Sequence, residues 1–142
     1  MILDKPSKPT NEEFDKIKRH PEYTYRILSQ VSAFGNLAFV AAGHHEKLDG
    51  SGYHLGLSGD QIPEITRILT VADIFEALTA VRPYRDALPV DRVRKIMSQD
   101  VGSALDPTCY AALEQCLERG MFDANAKEQA EQIEVSLQNC RC

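Results

Sequence analysis

The stretch Gly43-His44-His45-Glu46-Lys47-Leu48-Asp49-Gly50-Ser51-Gly52-Tyr53-His54 decides how the rest of the chain is read. Two of the chain's four histidines stand side by side in it, with carboxylates at Glu46 and Asp49 and a glycine-rich turn behind them. Neutral imidazole is the commonest protein ligand for divalent transition metals, and carboxylates complete or orient such sites. A histidine pair alone is often solvated or merely helix-terminal. The flexible loop that follows, where backbone can approach a ligand closely, favours the metal reading here.

Upstream of the pair, Leu37-Ala38-Phe39-Val40-Ala41-Ala42 is an apolar run, and a helix is expected over 37–46. Successive helical residues point about 100° apart, so His44 and His45 reach one cation only from a helix that faces it squarely. Downstream, residues 49–60 contain four glycines and almost no apolar periodicity, which predicts a long loop of the kind kept for function.

Further out, Thr10-Asn11-Glu12-Glu13 has the spacing of a capping box, so a helix starts there. It meets His20-Pro21, where the proline either kinks it or opens another helix. His20 at such a break can be aimed inward, although beside the basic run Lys16-Ile17-Lys18-Arg19 it also reads as a surface histidine. Ile62-Pro63-Glu64 opens a helix that is apolar nearly all round, with proline in its first turn, and this should be the central buried element. Asp73 stands in its middle. A carboxylate is almost never fully buried unless paired or bound to metal, so Asp73 is a candidate ligand, with a salt bridge to Arg67 or Arg82 as the alternative. Arg82-Pro83-Tyr84-Arg85 then sets two guanidinium groups around a rigid turn, which suits phosphate oxygens or is an ordinary solvated turn. Short helices follow over 89–99 and 110–119, broken by Gly102, capped by Asp106-Pro107 and stopped by Gly120. The polar stretch 123–138 is helix-prone. No strand pattern or internal repeat is present, and the fold class is all-α.

The 142 residues suffice for one domain with a real core. A formal net charge of −5 gives no global field for nucleic acid or an anionic membrane. An anionic small substrate therefore needs a local basic patch or a metal. No apolar run approaches the roughly 18 residues of a membrane span, and Met1-Ile2-Leu3-Asp4 is unlike an export signal. Cys109, Cys116, Cys140 and Cys142 do not form C-x-x-C knuckles. They read as reduced thiols of a cytoplasmic protein, with Cys109 and Cys116 on one helix face.

The order of these motifs resembles the HD-GYP subgroup of the HD phosphohydrolases, the bacterial cyclic di-GMP phosphodiesterases. The similarity covers 2–117 and includes Ile2-Leu3-Asp4-Lys5-Pro6, the Glu13 to His20-Pro21 helix, His44-His45-Glu46 with Asp49-Gly50-Ser51-Gly52-Tyr53, and Ile62-Pro63. It continues through Val71-Ala72-Asp73-Ile74-Phe75-Glu76-Ala77-Leu78-Thr79, Arg82-Pro83-Tyr84-Arg85 and Asp106-Pro107. The resemblance implies an HD-domain-like helical bundle over 1–120, followed by a polar helix or tail over 121–142. It implies a site of two or three iron or manganese ions at which a metal-activated water cleaves a phosphodiester. Carried over by motif, His20, His44, His45 and Asp73 bind metal, Arg82 and Arg85 hold substrate phosphate, and Gly52 and Tyr53 border the guanine end.

Two departures follow. Gly52-Tyr53-His54 stands where the family has Gly-Tyr-Pro, and the chain contains no His-Asp dipeptide. In the family that pair lies just upstream of Ile2-Leu3, so the bundle is expected to be N-terminally incomplete. Without the pair, His20, His44 and His45 still suffice for one divalent ion, and one ion rather than two is expected, with impaired catalysis. The helices that carry the pair pack in the family's core, so apolar surface on the Asp73 helix is expected to be exposed and to favour self-association or a partner. Two functions remain open: a metal-dependent phosphodiesterase for a cyclic dinucleotide, and a non-catalytic signalling module that binds a protein partner or nucleotide.

Overall fold

The computed structural model describes residue 2 and residues 5–122. Within them lie six α-helices: α1 (Asn11–Ile17), α2 (His20–Leu28), α3 (Gly35–Ala42), α4 (Glu64–Thr79), α5 (Val90–Met97) and α6 (Pro107–Glu118). Single 3-10 turns occupy Ser32–Phe34 and Gly59–Gln61. Only two isolated bridges, Arg82 with Arg85 and Val101 with Leu105, interrupt the helical architecture among the described residues. The all-α expectation is met. The helix expected over 123–138, Cys140 and Cys142 lie outside the described residues. No described helix is long and apolar enough to cross a membrane.

The chain divides into two compact units, Met1–Tyr110 and Ala111–Cys142. The second contributes the latter part of α6 and the turn at Gly120, whose φ of 68° suits a residue without a Cβ. Cys109 and Cys116 on α6 are free thiols. The candidate site lies wholly in the first unit.

Local chemistry explains where the helices of that unit begin and end. Thr10 and Glu13 form the expected reciprocal cap of α1. The Lys5 ammonium lies 2.8 Å from Glu13 and, with the Thr10 N–H, holds that carboxyl below its ordinary pKa. Pro21 lacks an N–H, so the ladder stops and α2 starts afresh with His20 as its first residue. α3 ends at Ala42 with Gly43 as its cap, so both histidines of the pair stand in the turn beyond it. The helix expected over 37–46 is therefore shorter, and the 100° constraint between successive helical residues no longer applies.

α4 differs from the expectation of burial all round. Thr66, Thr70, Val71 and Phe75 form its buried stripe, while Ile65 and Ile68 are 61% and 50% exposed. The stripe packs on α3 through small residues. Ala38 and Ala42 are fully buried, and a Cβ added at Gly43 would stand 2.7 Å from Thr66 Cγ2. α5 closes the core with Val93 and Met97, joined by Ala104 and Leu105 from the following turn.

Asp106 ties the C-terminal end of this unit to α4. One oxygen accepts from the N–H groups of Thr108 and Cys109, at 2.8 and 3.0 Å, capping α6. The other receives Arg67 Nη1 at 3.1 Å. Partial burial pushes the Asp106 pKa up, but the Cys109 N–H, the Arg67 guanidinium and the Thr108 N–H together hold it below its ordinary 3.8. Loss of the cap in Asp106→Ala is expected to cost about 1–2 kcal/mol in chemical denaturation. Because the folded pKa is the lower one, the stabilisation is complete above about pH 4 and is lost as pH falls through the folded value. A plot of stability against pH should accordingly be flatter at its acid end in the variant.

Candidate metal centre

Three imidazoles converge at one place. His20 Nε2 lies 3.0 Å from His44 Nε2 and 3.2 Å from His45 Nε2. They come from the start of α2 and the turn after α3, and they form the one His/Cys/Asp/Glu group among the described residues whose donor atoms fall within bonding range of a single ion.

Backbone fixes which nitrogens face inward. His20 Nδ1 stands 2.8 Å from Ile17 O, and His44 Nδ1 stands 2.6 Å from Ala41 O. A carbonyl can only accept, so each Nδ1 carries the proton and each Nε2 presents a lone pair. The Ile17 carbonyl is free for this because its helical partner four residues on would be Pro21, which has no N–H. Ala41 O belongs to the last turn of α3, where carbonyls lose their helical partners. Two lone pairs facing each other at 3.0 Å repel unless a cation or proton lies between them. Such a gathering of imidazole nitrogens is a donor set that a divalent transition ion would take.

His45 differs from the other two. Its Nδ1 faces Asp73 Oδ2 at 3.5 Å, long for a hydrogen bond. Its ring packs against Tyr53, with centroids 4.5 Å apart and planes 32° from parallel. Burial, reinforced by the neighbouring His44 and His20 rings, pushes the His45 pKa down to about 3. The imidazole is therefore neutral, as a ligand must be. Burial, with the Asp73 charge adding to it, raises the Tyr53 hydroxyl to about 12.

Asp73 is half-exposed rather than buried, and neither alternative salt bridge forms. Arg67 pairs with Asp106 and Asp60, and Arg82 with Glu76. Asp73 reaches the site by helical register: Thr66 touches Gly43, Thr70 Oγ1 donates to Glu46 O at 3.4 Å, and Asp73 faces His45. Positions 66, 70 and 73 lie on one face of α4. An open groove of about 450 Å³, lined by Ala41, His44, Leu69, Ala72, Asp73 and Glu76, leads to the cluster.

Gly52 and Tyr53 fold back over the pair. A Cβ at Gly52 would lie 2.6 Å from Glu46 Cα, His45 O and Lys47 N, so only glycine fits. Tyr53 N–H donates to His45 O at 3.3 Å. Arg82 Nη2 bonds Glu76 Oε2 at 2.9 Å, and Arg85 donates to Leu78 O and Ala77 O at 3.0 and 2.6 Å. The sequence reading did not assign Arg85 to these last-turn carbonyls of α4, though a basic residue just past a helix end is the usual signal.

The model of the HD domain matches residues 2–109. The chain belongs to the HD-domain family. Its curated relatives point to the HD-GYP branch. It is 50% identical over 116 residues to the 3'3'-cGAMP-specific phosphodiesterase 3 of Vibrio cholerae serotype O1, covering 82% of this chain and 25% of that protein. Over 114 residues it is 42% identical to the cyclic di-GMP phosphodiesterase response regulator RpfG of Xanthomonas campestris pv. campestris, covering 79% and 30%. A cyclic di-GMP phosphodiesterase of Thermotoga maritima is 35% identical over 134 residues, covering 92% and 36%. The chain thus spans between 25% and 36% of the length of these three relatives.

The HD-domain histidines make a direct prediction. Outer partners of metal ligands alone carry about 10–100-fold in affinity, so removing an imidazole should cost at least about 100-fold. Titration of the His20→Ala variant with Co²⁺, followed by visible absorption, should show that loss with the helical circular dichroism retained. Wild-type affinity in the variant would exclude His20 as a ligand.

Proposed function

We propose that this HD domain binds one divalent iron or manganese ion through His20, His44 and His45 and acts in the hydrolysis of a 3',3'-cyclic dinucleotide. The observation that carries the reading is the meeting of three imidazole Nε2 atoms, two of them turned inward by helix-end carbonyls, at the end of an open groove. The names of the relatives supply the substrate class. A bound ion would supply Lewis acidity toward a phosphoryl oxygen and would make a nearby water more acidic.

The chain's own residues have distinct tasks. Asp73, beside His45 and on the groove wall, completes the ion's surroundings and accepts a proton-bearing group there. Arg82 exchanges its exposed bond to Glu76 for a substrate phosphate, a fair exchange for a solvent-screened pair. Arg85 keeps its two carbonyl bonds and presents its remaining N–H groups to the same phosphate. Gly52 and Tyr53 border the base, with the phenol protonated as donor and the ring available for stacking.

These 142 residues contain no His-Asp dipeptide, and that pair would serve a second ion by the family resemblance. One ion and slow turnover are therefore proposed for the chain as it stands. The exposed Ile65, Ile68 and Leu69 favour a second reading, a non-catalytic module whose apolar α4 face meets a protein partner or a second copy.

Elemental analysis and turnover decide between them. Protein loaded with Mn²⁺ or Fe²⁺ should hold about one ion per chain and slowly linearise cyclic di-GMP or 3'3'-cGAMP, with no product from His44→Ala. Intact nucleotides after prolonged incubation with metal-bearing protein would overturn the enzymatic reading and leave the module. Two ions per chain would overturn the single-ion site.

A further inference from the structure

Of the three clustered imidazoles, His20 and His44 have their Nδ1 locked by backbone carbonyls, whereas the Nδ1 of His45 has only a 3.5 Å approach to Asp73. Something else must orient its ring. We propose that Glu46 is a positioning residue for the metal centre, its carboxylate folding the 52–57 loop so that Tyr53 is held against the His45 imidazole.

Glu46 directly follows the pair, yet its carboxylate is not among the clustered donors. It is 1% exposed. Its two oxygens are spent on the loop: Oε1 accepts from Leu55 N–H at 2.7 Å and Oε2 from Leu57 N–H at 2.9 Å. Hydrogen bonds to an ionised acceptor are about twice as strong as neutral ones, and a carboxylate taken out of water is tolerated only when so satisfied. The clamp draws residues 55–57 inward, and the chain before them has one way to lie. Gly52 rests on the backbone of His45, Glu46 and Lys47 at a distance no Cβ would permit. Tyr53 N–H then bonds His45 O, and the phenol ring covers the imidazole at 4.5 Å. Thr70 on α4 steadies the Glu46 backbone through its carbonyl. The line of support runs from Glu46 to the loop, from the loop to Tyr53 and from Tyr53 to His45.

The inference rests on the metal reading only for the identity of what His45 binds, so its test has a metal-free arm. Imidazole ¹H–¹⁵N spectra of the whole chain should show the His45 resonances displaced in Glu46→Gln and in Tyr53→Leu, with those of His20 and His44 little changed. In Co²⁺ titrations each variant should bind about 10-fold more weakly. The double variant should also lose about 10-fold rather than about 100-fold, because both changes cut one line of support. Val93→Ala, a destabilising truncation of a buried side chain on α5, should leave both the resonances and the affinity as in the wild type.

A Glu46→Gln variant that melts lower but keeps the wild-type His45 resonances would make Glu46 merely structural. Losses that multiply in the double variant would overturn the proposal as well. Should Glu46→Gln fail to fold, Tyr53→Leu leaves the clamp intact and remains decisive, since unmoved His45 resonances in it sink the proposal. A wild-type chain that takes up no Co²⁺ would count against the metal reading, and the metal-free spectra would still decide the role of Glu46.

Discussion

The centre depends on two backbone carbonyls that helices leave over. Ile17 O at the end of α1 and Ala41 O in the last turn of α3 each take the Nδ1 proton of a histidine three residues further on. An imidazole free in solution exchanges tautomers and rotates. One whose Nδ1–H is spent on a fixed carbonyl must turn its Nε2 lone pair to the opposite side. Both devices are products of interruption: a proline after His20 breaks the first ladder, and a glycine after Ala42 ends the third helix. Had either helix continued unbroken, its carbonyl would have had an N–H partner and the histidine would have had no anchor.

Bringing the two anchored imidazoles within 3.0 Å of each other falls to α2 and α3, which pack against each other, and α4 helps to place the third. α3 approaches α4 where Gly43 faces Thr66, at a spacing no side chain at 43 would allow. This contact places the following turn along a single face of α4, so that Glu46 meets Thr70 and His45 meets Asp73. The buried threonines, unusual in a central stripe, make sense in this light. Their hydroxyls bond Val40 O and Glu46 O, carbonyls at the end of α3 and in the turn after it.

Much of this was legible in the residues and part was not. The capping box, the break at Pro21, the glycine loop and the Asp106 cap are local signals, and each stands where the sequence put it. The apolar pattern alone puts the end of α3 four residues too late, at Glu46, whereas Gly43 directly after the apolar run is the stop that the fold uses. The burial of α4 was overstated for a physical reason: apolar periodicity reports what a helix can bury, whereas what covers it depends on other segments. Ile65 and Ile68 remain half-exposed or more. Glu46 and Asp49 were equal candidates by spacing, and only the fold separates them. One is buried and clamps a distant part of the loop, while the other is bound to the nearby Ser51 N–H at 2.9 Å and lies in a solvated turn.

The electrostatics around the groove imply an order of events for the proposed reaction. The groove that leads to the three imidazoles is lined by Asp73 and Glu76. A cyclic dinucleotide brings two phosphates, so a groove in that state would oppose the entry of the proposed substrate. A dication held by the histidines reverses the local sign, and at a few ångströms its charge outweighs one half-exposed carboxylate. Glu76 is already offset by Arg82, which at the phosphate would exchange one anion for another. In the proposed reaction ion binding would therefore precede and enable nucleotide binding, and the overall charge of −5 would cease to count against an anionic ligand.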